Sequence, residues 1–392
     1  MLPEPYTPEF YRDPHPTLAA LRRTEPVKRF RLFGFVDAWL VTRYADARTV
    51  FGDPRFQMSL PGERGPFEPP LDDINAPTTL ANASPEDHAR LKGVMMRGFT
   101  PRGLAAVEAR VQTMVDKLLA ELAGRAEFDV VSEFARPVAF GVIGELLGVP
   151  EHERPGLPDR IMGKPARHMS GEELKRRNQE TMRRAHAYLA DLIAEKRANP
   201  GDDVTTAMIG AADDGGPITP DELRAALMSL LIAGFVTSLN MVASGIGELI
   251  ALPEARERVA DDPDAARWAV EEACRFHSPF LSASRVAVAD LELGGRTVRR
   301  GDIVMVSLNS VNRDGDQFAD ADRFDIDRRP NPHLAFGHGA HHCIGAAVAR
   351  LEGRIAFRSF FRQLPGVRAV SDERAWRSDG IIRGLAELRV TR

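Results

Sequence analysis

Between Ala225 and Gly247 the chain carries no charged residue. A helix of that length can cross a bilayer, or it can run through the middle of a large soluble core. Ser229, Thr237, Ser238, Asn240 and Ser244 dilute the run, and no targeting segment accompanies it. We therefore read a helix over 219–250 that is apolar on every side because protein surrounds it. Thr219, Pro220, Asp221 and Glu222 form its start: a capping residue, a proline at the first helical position, and two acids in the first turn. Other helices must cover such an element. The expected class is mainly α with a small β region, in a single domain over 1–392.

The rest of the pattern agrees. Pro16–Glu25, Tyr44–Phe51, Ser84–Thr100, Glu172–Asn199, Ala265–Phe276 and Gly353–Leu364 read as helices. Leu104–Leu147 is helical with a break near Arg125–Phe128. Pro158–His168 is a short basic segment ahead of the long charged helix. Val27–Leu32, Ala38–Thr42, Phe280–Ala287 and Ala386–Val390 read as strands. Leu291–Leu308 reads as a hairpin, with turns at Gly294-Gly295 and Arg300-Gly301. Gln57–Ser84 is too rich in proline, glycine and asparagine for regular structure, and so long a loop is usually functional or disordered.

With 392 residues, 43% of them hydrophobic, the chain can bury a sizeable core. Its net charge of −4 argues against nucleic acid as a partner. The two cysteines, Cys274 and Cys343, rule out a disulfide framework and fit a reducing cytosol. The N-terminal MLPEPYTPEFYRDP has no apolar stretch and no twin arginine, so a soluble cytoplasmic protein with no membrane anchor is expected.

Phe336–Gly345, reading FGHGAHHCIG, carries the chemistry. Gly337 and Gly339 let the backbone adopt conformations closed to other residues, so a flat partner can lie against the loop. The helical pattern from Ala346 to Ala356 points its N-terminal N–H groups back at Cys343 and favours thiolate over thiol. A single thiolate beside Phe336 and Ile344 suits a haem iron with one open face. Two other readings stand beside it. Lone cysteines are usually small buried hydrophobes. The cluster His338, His341, His342 and Cys343 also offers zinc donors, although ligands so close in sequence wrap one tetrahedral ion poorly.

FGHGAHHCIG is similar to the haem-binding loop of the cytochrome P450 family, FxxGxxxCxG, with every fixed position filled. The resemblance runs from Pro16 to Val390. It implies the P450 fold and one haem b (iron protoporphyrin IX), with Cys343 as axial ligand of the iron. It implies Phe336 and Gly337 in the haem loop, and His341, His333 and Arg285 as contacts to the haem propionates. His88 and Lys92 stand where the family places a histidine and an arginine for the same purpose. A lysine there is a point charge without the bidentate fork.

Ala233-Gly234-Phe235-Val236-Thr237-Ser238 lines up with the family's oxygen-binding motif, A/G-G-x-D/E-T-T/S. The resemblance gives Ala233 and Gly234 the task of leaving room above the haem, and Thr237 a hydroxyl for protonating dioxygen. Val236 stands where the family has an acid. Glu272-Ala273-Cys274-Arg275 matches the family's ExxR, a buried ion pair bracing the haem loop, which Arg323 would join. Phe235, Val236, Phe280, Leu281 and Ile381 are the implied substrate contacts. The 57–84 loop and lid helices within 158–199 are the implied pocket cover.

The implied activity is that of an oxidoreductase, hydroxylating or epoxidising an apolar or amphipathic small molecule, such as a secondary metabolite, with O2. No GxGxxG follows a strand, so electrons come from outside. The resemblance points to a ferredoxin and ferredoxin reductase, serving a monomer. Val236 leaves room for atypical chemistry: oxidative coupling, rearrangement or peroxide use. A non-catalytic helical haem- or zinc-binding protein is the remaining alternative.

Overall fold

The computed structural model describes residues 4–392 apart from 33, 35, 61–78, 81–82, 163–170 and 214–216. Its helices are α1 (Pro8–Arg12), α2 (His15–Thr24), α3 (Tyr44–Gly52), α4 (Pro85–Met96), α5 (Pro101–Ala123), α6 (Arg136–Leu147), α7 (Leu157–Met162), α8 (Gly171–Ala198), α9 (Val204–Asp213), α10 (Pro220–Ile250), α11 (Pro253–Asp261), α12 (Pro263–Phe276), α13 (Leu308–Val311) and α14 (Ala346–Gln363). The strands are β1 (Val27–Leu32), β2 (Val36–Val41), β3 (Phe56–Gln57), β4 (Glu127–Asp129), β5 (Ser282–Ala287), β6 (Leu291–Leu293), β7 (Arg296–Val298), β8 (Ile303–Ser307), β9 (Arg368–Ala369), β10 (Trp376–Asp379), β11 (Ile382–Leu385) and β12 (Arg389–Thr391). The fold is mainly α with a small β region.

The chain divides into two compact units, one holding Met1–Pro66, Val115–Ala135 and Thr237–Arg392, the other Phe67–Met114 and Arg136–Val236. The first unit contains every strand among the described residues. Its main sheet runs β1-β2-β8-β5-β3, antiparallel except where β2 meets β8. One face packs Val41, Val304 and Val306 against Val50 and Phe51 of α3. Gly294 and Gly295, at φ 55° and 73°, make the tight turn between β6 and β7. The second expected turn, at Arg300-Gly301, is present, with the Asp302 N–H donating to Arg299 O at 3.0 Å and Gly301 at φ 93°, but it does not fold β8 back onto β7. It hands the chain to β8, whose Val304, Met305 and Val306 are fully buried between β2 and β5. So apolar a strand gains more in the sheet centre than beside exposed β7.

The break expected near Arg125–Phe128 holds strand β4, which pairs with β12 more than 250 residues away. Between Gly353 and Leu364 there is no separate helix, because α14 runs unbroken from Ala346. The expected strand at Ala386–Val390 is shorter and later, as β12, and the hairpin β10–β11 precedes it.

In the second unit, Ser84 Oγ caps α4 by accepting the Asp87 N–H at 3.1 Å. Thr219 and Glu222 form a reciprocal capping box at the head of α10: Thr219 Oγ1 accepts the Glu222 N–H at 3.2 Å, and Glu222 Oε2 accepts the Thr219 N–H at 2.8 Å. Arg90 closes on the same carboxylate at 2.6 Å. The apolar run of α10 is a core element, with 67% of its most hydrophobic window buried in protein. Most of the 57–84 loop, and 163–168 of the basic segment before α8, lie outside the described residues.

Candidate active site

Cys343 sits at the end of a loop closed by its own backbone. The Cys343 N–H donates to Phe336 O at 2.9 Å, so the chain returns to its starting point within eight residues. Gly337 and Gly339 make this possible at φ 70° and 73°. A Cβ on Gly339 would also lie 2.7 Å from the Phe51 carbonyl oxygen at the end of α3. Helix α14 starts three residues after the cysteine, and its N-cap Gly345 offers no side-chain acceptor. The thiol of Cys343 is exposed there, at the positive end of the helix. Cys274 is 2% exposed, and burial pushes its thiol far up. The packing role of a lone cysteine thus fits Cys274 and not Cys343. Among the described residues no group of three or more His, Cys, Asp or Glu side chains is arranged to hold a metal ion, which removes the support for zinc.

Behind the loop lies a fully buried ion pair. Arg275 meets Glu272 through Nε at 2.8 Å and Nη2 at 2.7 Å, with both side chains 0% exposed. Its remaining hydrogens reach the carbonyls of Asn312, Ala321 and Arg323 at 2.9, 2.7 and 2.9 Å. Arg323 therefore joins through its backbone. The side chain that closes on Glu272 is that of Arg328, at 3.3 Å, with the Asp325 N–H and the Asn331 amide completing the carboxylate's partners. Every polar group of the pair is answered, which a buried pair requires.

A second carboxylate braces the loop directly. Burial alone would raise Glu271, but hydrogen bonds from His333 at 3.1 Å and Arg350 at 2.6 Å outweigh it and hold the group at about 2. The Arg350 guanidinium lies 4.6 Å over the Phe336 ring. Arg285 differs from both arginines. It is 5% exposed, rests 5.1 Å over Phe51, and donates to Ser284 O and Met58 Sδ. Among the described residues no carboxylate lies within ion-pair distance of it, and burial holds it down at about 10.

The cytochrome P450 family model matches residues 161–364. Cytochrome P450 107B1 of Saccharopolyspora erythraea is 36% identical, over 97% of this chain and 95% of that protein. The mycinamicin IV hydroxylase/epoxidase of Micromonospora griseorubida is also 36% identical, over 94% of this chain and 93% of its own. The solved structure of PksS, the P450 of the Bacillus subtilis bacillaene synthase, superposes with a TM-score of 0.89 at 31% identity, covering 100% of this chain and 99% of that one. This chain belongs to the cytochrome P450 family. As a P450 it is an oxidoreductase that uses haem b, dioxygen and a small-molecule substrate.

The first unit fits that prosthetic group on its own chemistry. It offers an exposed thiol at a helix N-terminus, a glycine loop bare enough for close approach, and a buried guanidinium without a carboxylate to answer it. His341 is half-buried in the short turn Gly339–His341 of this loop. His333 is a correction. Its Nε2 bonds Glu271, its Nδ1 takes the Ala335 N–H at 3.3 Å, and its side chain is 2% exposed, so nothing is left for a propionate. In the second unit His88 and Lys92 lie one turn apart on α4, the first buried and the second half-buried.

Along α10 of the P450, Ala233 is exposed, and Val236 and Thr237 are half-buried. Gly234 has a packing reason besides room for haem: a Cβ there would come 2.7 Å from Ile143 of α6. Phe235 is a second correction. It points away from the Ala233–Thr237 face, is 9% exposed, and stacks on Phe140 with centroids 4.5 Å apart. That makes it a core ring. Leu281 is a third, at 2% exposure, with its N–H bonded to Ile381 O and its carbonyl to the Leu308 N–H. It positions the half-buried Ile381, and Phe280 bridges Ile382 beside it.

One titratable group went unnoticed in the sequence. Glu352 on α14 is 1% exposed, and its Oε1 is buried without a hydrogen-bond partner among the described residues. Burial raises it to about 8, against a hydrogen bond with Ser238 that lowers it. Only its spacing from Cys343, nine residues along the same chain direction, could have drawn attention to it.

Proposed function

We propose that this P450 hydroxylates or epoxidises an apolar or amphipathic secondary metabolite in the cytoplasm, as a monomer. A ferredoxin and its reductase supply the electrons. The exposed Cys343 thiol at the head of α14 carries the reading. Relatives named for hydroxylating or epoxidising mycinamicin IV and for hydroxylating vitamin D(3) support the reaction type. Haem, when bound, supplies oxygen activation, and an axial thiolate favours O–O cleavage by donating electron density. Arg285 and His341 take propionate charge in the first unit; the family's assignment for His88 and Lys92 is kept for the second. Phe280, Ile381 and Val236 present apolar surface to the substrate. The two units work as one catalytic domain, with the 57–84 loop and 158–199 as its cover.

Thr237 holds a proton at Oγ1 for delivery to the oxygen side. Val236 cannot replenish it. Glu352 can: its carboxyl keeps a proton at neutral pH, and Ser238, its partner, is the residue after Thr237. We assign Glu352 and ordered water to the place of the missing acid. The direct test is the reduced carbon monoxide spectrum. The wild type absorbs at the thiolate position, and Cys343→Ala loses that band; a colourless protein after expression with ample haem overturns the reading.

Val236 also favours a second reading, in which the enzyme couples or rearranges its substrate or uses peroxide. Product formed per NADPH separates the two. The first reading expects Thr237→Ala to drop coupling at least several-fold, whereas full coupling in that variant supports the second.

A further inference from the structure

The first unit contains a strongly basic pocket of about 370 Å³ whose lining shares no residue with the candidate site. Four arginines line it, Arg12, Arg313, Arg374 and Arg383, with two histidines and only two carboxylates, Asp13 and Asp372. Three of the arginines are answered elsewhere. Arg374 pairs with Glu248, Arg313 with Asp322 at 3.2 Å, and Arg12 faces Glu9 at 4.0 Å on the surface. His277 adds no charge at neutral pH, because burial lowers it to about 4 despite its bond to Glu248.

Arg383 of β11 is the exception. It is 6% exposed, and its guanidinium lies 3.7 Å over the Trp376 ring. Its Nε donates to Tyr11 O at 3.3 Å and its Nη2 to Arg12 O at 3.2 Å. Among the described residues its Nη1 has no hydrogen-bond partner, and no carboxylate lies within 4.0 Å of the group. Nor is Nη1 one of the polar atoms sealed away from solvent. Burial pulls the Arg383 guanidinium down to about 10, and the raising field of Asp13 is larger than the lowering field of Arg313. A nine-tenths buried cation therefore presents one open donor nitrogen to a pocket lined by three further arginines.

We infer that this pocket binds a small, multiply charged oxyanion, of the phosphate or polycarboxylate class, on Nη1 of Arg383 with support from Arg313 and Arg12. The open Nη1 of a guanidinium makes a charge-assisted hydrogen bond to an oxyanion oxygen, and a volume of about 370 Å³ admits such an ion with its water. Binding also has a structural consequence. Arg383 belongs to the hairpin β10–β11, whose turn residue Gly380 accepts a hydrogen bond from Tyr11 Oη at 2.8 Å. The next residue, Ile381, holds Leu281 through its carbonyl at 2.7 Å. An anion joining Arg383 to Arg12 ties this hairpin to the N-terminal segment and steadies the Ile381 turn.

The test is calorimetric titration of the holoprotein at low salt with inorganic phosphate, pyrophosphate and citrate, each against sodium chloride at matched ionic strength. Saturable one-to-one binding is expected, at least tenfold weaker in Arg383→Gln. Phosphate and citrate arms separate phosphoryl from carboxylate ligands. Because Arg383 is buried, its variant is read only with an intact Soret band. Arg12→Gln, on the surface, is expected to weaken binding about threefold with no cost to folding. Hydrogen exchange over 376–385 is expected to slow with anion present. Heats no larger than those of chloride, or equal affinity in wild type and Arg12→Gln, overturn the inference.

Discussion

A carboxyl group can be hidden in a protein only in the form its surroundings tolerate. Glu271 and Glu352 show the two outcomes within one unit. Glu271 has His333 and Arg350 against it and stays ionised to about 2. Glu352 has only Ser238, and burial keeps it protonated to about 8. The sign of the pH effect follows. Above its ordinary value of 4.5 the unfolded chain ionises Glu352 while the native state keeps the proton. Stability from this group is therefore intact below pH 4.5 and is lost progressively as pH rises to about 8, by on the order of 5 kcal/mol at most. Glu352→Gln cannot ionise. Its urea midpoint should exceed that of the wild type by more at pH 8 than at pH 5, and parallel pH curves would contradict this assignment. The same residue contrast separates the cysteines: Cys274 is buried and chemically quiet, Cys343 exposed at a helix end.

At the scale of the element, α12 shows how a helix can serve a loop that it does not contain. Arg275 and Glu272 are one turn apart, the spacing of ordinary surface pairs. Here the pair is buried, and Arg275 gathers three carbonyls from the segment 312–323 that leads toward the haem loop. Lysine can keep the charge but not the planar fork, so Arg275→Lys leaves carbonyls and a carboxylate oxygen unanswered. The expected cost is about 3–5 kcal/mol. It is read as a lower thermal midpoint of the holoprotein together with faster haem loss to an apoprotein acceptor. Helix α10 teaches a complementary point. Its charge-free run is diagnostic of a buried element, yet its faces differ: Phe235 stacks into the core while Ala233 stays exposed.

At the scale of the whole molecule, surface charge bears on how electrons are delivered, since no GxGxxG follows a strand in the sequence. Arg48 is exposed on α3 and meets His338 of the haem loop at 3.3 Å. Burial and the Arg48 charge lower His338, so at neutral pH the arginine is the cation of that pair. An acidic donor protein would be steered there. Arg48→Glu is expected to slow reduction by a ferredoxin several-fold at low salt, with the difference shrinking as salt is raised. Unchanged stopped-flow rates would place the donor elsewhere. The sequence alone determined the mainly helical class, the capped start of α10 and the cysteine loop with its glycines, because each is written in residues close together in the chain, whereas the burial of the Glu272–Arg275 pair was implied only by the family resemblance. Tertiary structure decided the rest. Only packing shows that Phe235 faces Phe140, that Leu281 is core, that His333 is taken by Glu271, and that β4 finds its partner in β12. Only burial, which local spacing does not reveal, keeps Glu352 protonated and leaves Arg285 and Arg383 as cations without a carboxylate among the described residues.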